Sequence, residues 1–372
     1  MFAKPLSLIL VYIVTVFNIV VLALPLLVVI TPFSTFNHNT LLIDVGVFYK
    51  IKIGFFILIF LISFLMLLYL FLDSLFGFSV RASLKNCVRH EKIKDYDYLS
   101  DIFDQVKNKF GERGARLYIK NSDEVNAYAI SSLGSKAIVL TRGLINHYLL
   151  SCNDPKRFLY ALRSIMAHEM SHLINKDFLP TFLIIVNQKV TNFVSHILRI
   201  SLYSGSRISR FFPYVGKTIS SFMIDIHTIL HYLITFFNRF VVYNIYEFLR
   251  RFVSRSIEYR ADRQAARAFG GQNMAFALSM LSENGYFTLF STHPQTSKRM
   301  SAVQDIKSTD SAVRAGVIDS VANYCSLMFL LIICLYFAKR SHVDSMIREC
   351  VRNHEAIHRK LSLLWHLVSK VF

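Results

Sequence analysis

The sequence predicts a mainly α-helical integral-membrane protein that also carries a water-exposed domain with a small β-sheet. Three observations predict it. First, uncharged apolar stretches recur: no Asp, Glu, Lys or Arg occurs from Pro5 to Ile43, and Ile53–Leu72 and Val321–Ala338 are equally free of charge. Second, 53% of the residues are hydrophobic and 18% are charged, against roughly 25% charged in an ordinary soluble domain. Third, residues 95–177 break this pattern, with short apolar runs separated by turn residues. So apolar a composition excludes a disordered chain, which needs low hydrophobicity and high charge density.

Lys and Arg number 42 and Asp and Glu 24, a formal net charge of +18. The basic residues are spread along the chain and interleave with the apolar runs. That distribution predicts a partner bilayer containing anionic lipids rather than nucleic acid, which would call for a compact basic domain. The five cysteines form no CxxC pair, which argues against a disulfide framework or a cysteine zinc cluster. Nothing in the sequence signals an oligomeric state.

Residues 1–72 read as an N-terminal transmembrane hairpin. Leu6–Ile30 is long enough to span, and too long for the apolar region of a cleaved signal peptide. Ile53–Leu72 is the second span, and Thr31–Lys52 the loop between them. Arg81, Lys85, Arg89, Lys92 and Lys94 follow the second span, whereas the loop holds only Lys50 and Lys52 beside Asp44. The positive-inside rule then puts residues 73 onward in the cytoplasm.

Residues 73–177 form the first part of the water-exposed domain. Arg116–Ile119 and Ala137–Leu140 read as short strands. Asn153-Asp154-Pro155 opens a helix, with a capping side chain followed by proline in the first turn. Phe158, Leu162, Ile165, Met166 and Leu173 give that helix its apolar stripe. Residues 178–255 are an apolar yet basic insertion, expected to form transmembrane or membrane-embedded helices. The Arg-rich turn from Arg199 to Lys217 would sit on the wrong side if two helices crossed, which favours a hairpin that does not cross. Residues 256–310 complete the domain. Residues 311–372 hold a possible further transmembrane helix at Val321–Ala338 and a basic amphipathic tail.

The chemistry lies in His168-Glu169-Met170-Ser171-His172. On a helix, residues four apart share a face, so both imidazoles can point at one ion. Glu169 projects beside that ion. Two neutral imidazoles on Zn2+ and a carboxylate able to take a proton from water are what a zinc peptidase needs. The competing reading is two surface histidines on a helix. Zinc also requires a third protein ligand. Glu258-Tyr259-Arg260-Ala261-Asp262 offers Glu258 as that ligand and Asp262, on the same face, as acceptor of a hydrogen bond from a ligand histidine. Taken alone, this pair reads more simply as an exposed acidic pair beside Arg260 and Arg263. The helix carrying it is expected to stop at Gly270-Gly271.

Together these segments resemble the HtpX family of membrane zinc metallopeptidases, relatives of the CAAX prenyl proteases. Three more elements carry the resemblance in the same order. Asn126-Ala127-Tyr128-Ala129 is similar to the family's Asn-Ala-Phe-Ala strand. Ile138–Leu144 is similar to the strand and turn leading to its catalytic helix. Ser291-Thr292-His293-Pro294-Gln295-Thr296 through Arg299 is similar to its Ser-Thr-His-Pro-Pro-Thr-x-x-Arg element, with Gln295 replacing the second proline. The match runs from about Arg116 to Met300. Val321–Ala338 and the tail lie beyond the family's usual end.

The resemblance implies a gluzincin-like zinc metallopeptidase domain with Zn2+ as cofactor. It implies His168, His172 and Glu258 as metal ligands, Glu169 as general base, and catalytic or site-ordering roles for Asn126, His293 and Arg299. It further implies cleavage of misfolded or membrane proteins, in a bacterial inner membrane with the catalytic domain cytoplasmic. Two alternatives stand beside it. A CAAX-type prenyl-protein protease shares the metal motifs but has more spans. A catalytically inactive lipid-binding scaffold would explain the basic insertion and tail.

Overall fold

The computed structural model describes residues 3–30, 45–132, 134–209, 243–281 and 295–343, with scattered positions from 221 to 240 and at 345 and 348. The expected segment around His293 and the tail beyond 350 lie outside the described residues. The described chain is mostly helical, with one four-stranded sheet.

Two long apolar helices come first, Ala3–Ile30 (α1) and Val45–Phe76 (α2). α2 begins earlier than expected, at Val45, so Lys50 and Lys52 lie inside the helix rather than in a loop. The apolar stem of Lys52 lets the helix carry it while its charged end stays exposed. Gly77, at φ 59, turns the chain into Phe78–Ser83 (α3). Cys87–Arg89 (β1) and Tyr98–Phe110 (α4) follow.

Ala115–Lys120 (β2), Ala127–Ser131 (β3) and Lys136–Thr141 (β4) complete the sheet, in the order β1-β2-β4-β3. β2 and β4 run parallel in the centre, with Leu117 opposite Ile138 and Ile119 opposite Leu140, all buried. β1 and β3 are the antiparallel outer strands. Thr141 ends β4 and caps Arg142–Ser151 (α5), its hydroxyl accepting from Leu144 N at 3.2 Å. Gly143 N donates to Ser122 O, and the approach is so close that a Cβ there would lie 2.2 Å from Asp123 O.

Pro155–Asn175 (α6) is the central helix. Asp154 caps it, accepting from Lys156 N at 2.9 Å, and Pro155 occupies its first turn. Its apolar face packs in one core with α4 and the sheet. Phe178–Ser209 (α7) and Tyr243–Phe269 (α8) follow. Gly270, at φ 97, ends α8, and Gly271 opens Gly271–Leu281 (α9). Thr296–Ser301 (α10) and Val317–Arg340 (α11) complete the described elements. α11 begins four residues before the expected apolar run, and Asp319 in that extension is buried, as is Asn323 just beyond it.

The chain divides into two compact units. One comprises the described residues within 1–15, 68–189 and 235–327, and holds the sheet and α6. The other comprises those within 16–67, 190–234 and 328–372; in it the rings of Phe56 and Phe337 meet at 5.6 Å between centroids. Among the described residues, Lys52–Phe76 and Val317–Arg340 are long and apolar enough to cross a membrane.

Candidate metal centre

Helical spacing puts His168 and His172 one turn apart on α6, with ring centroids 4.8 Å apart and Nε2 atoms 3.1 Å apart. α8 packs along α6 and brings Glu258 to the same point. Its Oε2 lies 3.4 Å from His168 Nε2 and its Oε1 3.7 Å from His172 Nε2. Zinc binds nitrogen at about 2.0–2.1 Å in a tetrahedron, so its ligand atoms stand roughly 3.3 Å from one another. The two Nε2 atoms stand close to that edge, a Glu258 oxygen lies near each of them, and one ligand atom from each of the three residues falls within 4.8 Å of the others, so the residues present fit a metal ion such as zinc.

The electrostatics agree. Burial disfavours charge on His168, but Asp262 and Glu258 outweigh it and push the imidazole pKa up to about 10. The cluster therefore calls for positive charge, which a proton or a metal cation supplies.

Each histidine has its own carboxylate behind it. Asp262, one turn after Glu258 and wholly buried, faces His168 Nδ1 with Oδ1 at 2.9 Å. Arg299 of α10 grips Asp262 from the other side, Nε to Oδ2 and Nη2 to Oδ1, both 2.7 Å. Its Nη2 also lies 3.1 Å from Glu258 Oε2. Burial raises the Asp262 pKa, and Arg299 and His168 more than reverse that, leaving it lowered. Asp177 faces His172 Nδ1 with Oδ2 at 2.9 Å and pairs through the same oxygen with Arg260 Nη2. A carboxylate on Nδ1 keeps the proton there and leaves the Nε2 lone pair for a metal.

Asp177 reaches His172 through the end of the helix. Lys176 takes the left-handed conformation at φ 53, Asp177 N donates to His172 O at 3.1 Å, and Lys176 N donates to Leu173 O at 3.2 Å. This paired closure brings the residue after the turn back over the last ligand.

Of the residues singled out in the sequence, His168, His172, Glu258, Asp262 and Arg299 come together here. Glu169 is buried beside them and within electrostatic reach of Arg299. Asn126 stands at the start of β3, where its Nδ2 donates to Glu124 Oε1 at 3.1 Å and its backbone pairs with Thr141. His293 lies outside the described residues. Asp177 and Arg260 were not anticipated in these roles. The signal for Asp177 was an acid five residues beyond the second histidine.

A family model described as Peptidase family M48 matches residues 96–307, which contain every residue of this cluster. The chain is also similar to the Protease HtpX of Buchnera aphidicola subsp. Schizaphis graminum, 23% identical over 280 residues, 64% of this chain and 87% of that protein. With the Protease HtpX of Stutzerimonas stutzeri (strain A1501) it is 25% identical over 239 residues, 58% of this chain and 73% of that protein.

Proposed function

The chain belongs to peptidase family M48 as an HtpX-like member, a metallopeptidase family, and on that premise we propose that it is a membrane-anchored, zinc-dependent endopeptidase. Its substrates are misfolded or membrane proteins, cut at the cytoplasmic face of a bacterial inner membrane. The observation that carries the reading is the meeting of His168, His172 and Glu258 from two helices, with Glu169 beside them.

His168, His172 and Glu258 would hold the zinc. When bound, zinc supplies Lewis acidity, acidifying water and polarising a peptide carbonyl. Glu169 takes the proton of the attacking water on its carboxylate and returns it to the departing amide nitrogen as the C–N bond breaks. Asp262 and Asp177 hold the two imidazoles with Nε2 inward. Arg299 pairs with Asp262 and stands beside Glu258, and it helps keep the Asp262 carboxylate ionised in a buried site. Asn126 and His293 remain candidates for contacts with the substrate or the developing oxyanion. β3 is the outer strand beside α6, so an extended substrate can pair along it.

Membrane anchoring draws support from exposed apolar side chains on the long helices. Phe71 and Leu75 of α2 are 59% and 61% exposed, and Val317 and Leu335 of α11 are 77% and 60% exposed. Such surface is seldom left to water and suits lipid. In this reading residues 73–177 and 256–310 form the peptidase domain. Residues 1–72, 178–255 and 311–372 engage the bilayer and its anionic lipids.

The test is digestion of casein by the detergent-purified, zinc-loaded chain, with Glu169→Gln alongside. Cleavage by the wild type and none by the variant, with zinc equal in both, is expected. Full activity in the variant would refute Glu169 as the base, and a chain that binds no zinc would refute the reading as a whole.

A further inference from the structure

The family match ends at residue 307, yet the metal-bearing helix α6 is finished by side chains from outside it. Lys4 of α1 is 1% exposed and sits at the C-terminal end of α6. Its ammonium donates to the Asn175 carbonyl and, at 3.1 Å, to the Lys176 carbonyl, and lies 3.4 Å from Asp177 Oδ1. α11 closes the same end. Asn323 Nδ2 donates to Asn175 O at 3.1 Å, and Gly316 N donates to Asn175 Oδ1 at 2.8 Å. Asp319, in the first turn of α11, receives Arg260 Nη1, while Nη2 of the same guanidinium is on Asp177 Oδ2. That oxygen is the one facing His172.

The lysine satisfies carbonyls that have no partner within their own helix, and it opposes the negative end of the helix dipole. Those tasks alone do not require burial of a charge. Burial does follow if the lysine must hold one oxygen of Asp177 while the other holds an imidazole. Asp319 has the matching task for Arg260, since a guanidinium with one carboxylate partner can swing, whereas one bridging two is fixed at both ends.

We propose that Lys4 and Asp319 are positioning residues of the metal centre, which fix Asp177 and Arg260 and through them the imidazole of His172. The inference rests on the metallopeptidase reading above and deepens it. Zinc affinity then depends on two helices outside the family match. The peptidase acquires tight metal binding only once α1 and α11 have docked at the end of α6, so a chain whose membrane helices are still unplaced is held inactive.

The test is the zinc dissociation constant of the full-length chain in detergent, read by competition with a chromogenic chelator. Lys4→Met and Asp319→Asn are each expected to weaken zinc binding by about tenfold, within the range for partners of a metal ligand. Lys4→Arg and Asp319→Glu, which keep the charge, are expected to recover most of it. Tyr12→Phe is the control: Tyr12 donates to Ser326 O at 2.6 Å and so ties α1 to α11 without touching Asp177. It is expected to leave the constant within about twofold of wild type, RT ln 2 being small beside a tenfold effect. Wild-type affinity in Asp319→Asn would overturn the inference, as would an equal loss in Tyr12→Phe, which would mean general loosening. Should Lys4→Met fail to fold, Asp319→Asn and its Glu counterpart decide alone. Glu169-dependent cleavage with an unaffected Asp319→Asn would overturn only this inference. Absence of zinc on the wild type would overturn the metallopeptidase reading and this inference with it.

Discussion

Replacing Asp262 with Asn changes no volume and removes one charge, so its effect can be worked out from the contacts. The carboxylate faces three donors, Arg299 Nε and Nη2 at 2.7 Å each and His168 Nδ1 at 2.9 Å. Asn offers one acceptor oxygen and one amide NH2. With its oxygen in place of Oδ1, it keeps His168 and Arg299 Nη2 but points an N–H at Arg299 Nε. With its oxygen in place of Oδ2, it points an N–H at His168 and favours the tautomer that puts a proton on Nε2, where a metal ligand needs a lone pair. Either way the charge-assisted grip on Arg299 is broken, and that side chain is only 10% exposed. Zinc affinity is expected to fall about 10–100-fold, about 1.4–2.8 kcal/mol. Fold stability is expected to fall by up to about 3–5 kcal/mol, the cost of stranding one partner of a buried pair. Chelator competition measures the first and thermal unfolding of the zinc-free chain the second. An Asp262→Asn chain that binds zinc as tightly as wild type would show that Asp262 does not orient His168.

Three further outcomes follow from other contacts. Gly143→Ala drives a Cβ into the Asp123 carbonyl and must displace the 122–126 loop, at about 1–3 kcal/mol of stability; Gly54→Ala, a helical glycine with nothing within 4 Å, is the clash-free control and is expected to gain up to about 1 kcal/mol. Tyr148→Phe removes the hydroxyl that donates to Ala277 O at 2.7 Å in a fully buried setting, and should lower stability by about 1–3 kcal/mol in the same assay. Burial raises the Asp177 pKa, but His172, Arg260 and Lys4 more than reverse this and hold it at about 2, below the ordinary 3.8. Its folded-state pKa is depressed, so its contribution to stability is present above about pH 3.8, shrinks as the pH falls, and is gone below about 2. The metal-free wild type should therefore lose more stability between pH 5 and pH 3 than Asp177→Asn does, and equal losses would refute the assignment.

What the sequence made legible was whatever repeats at helical spacing or uses a strong capping residue. His168 and His172, and likewise Glu258 and Asp262, were readable as shared faces because four residues make about one turn. The start of α6 was readable because Asp154 and Pro155 are both residues that open helices. Contacts between distant segments were harder. Glu258 and Asp262 read alone as an exposed acidic pair, yet they are 6% and 0% exposed, because α8 turns that face onto α6. Asp177, an acid five residues beyond His172, gave only a faint signal because it returns to His172 through a left-handed lysine, where a glycine would have advertised the turn. Lys4 stands just before the first apolar run, and nothing local marks a lysine that will be buried against a helix end 171 residues away. β1 is three residues long, and the parallel pairing of β2 with β4 depends on β3 running back beside them, which no local pattern encodes.

If substrates pair along the outer strand β3, as proposed above, that strand has a kinetic consequence. Any polypeptide that pairs along Ala127–Ser131 must present five residues in extended form, a length of about 17 Å. A helix or a strand already within a folded sheet cannot offer this without first opening. Where opening and closing are fast compared with cutting, the rate follows the fraction of time the segment spends open. A segment whose opening costs about 4 kcal/mol is open about one time in a thousand, and it is cut about a thousandfold more slowly than the same residues in a frayed terminus. Discrimination between sound and damaged proteins then needs no recognition sequence. It resides in the target's own local stability, and a lesion that weakens a segment by about 1.4 kcal/mol raises its cutting rate about tenfold.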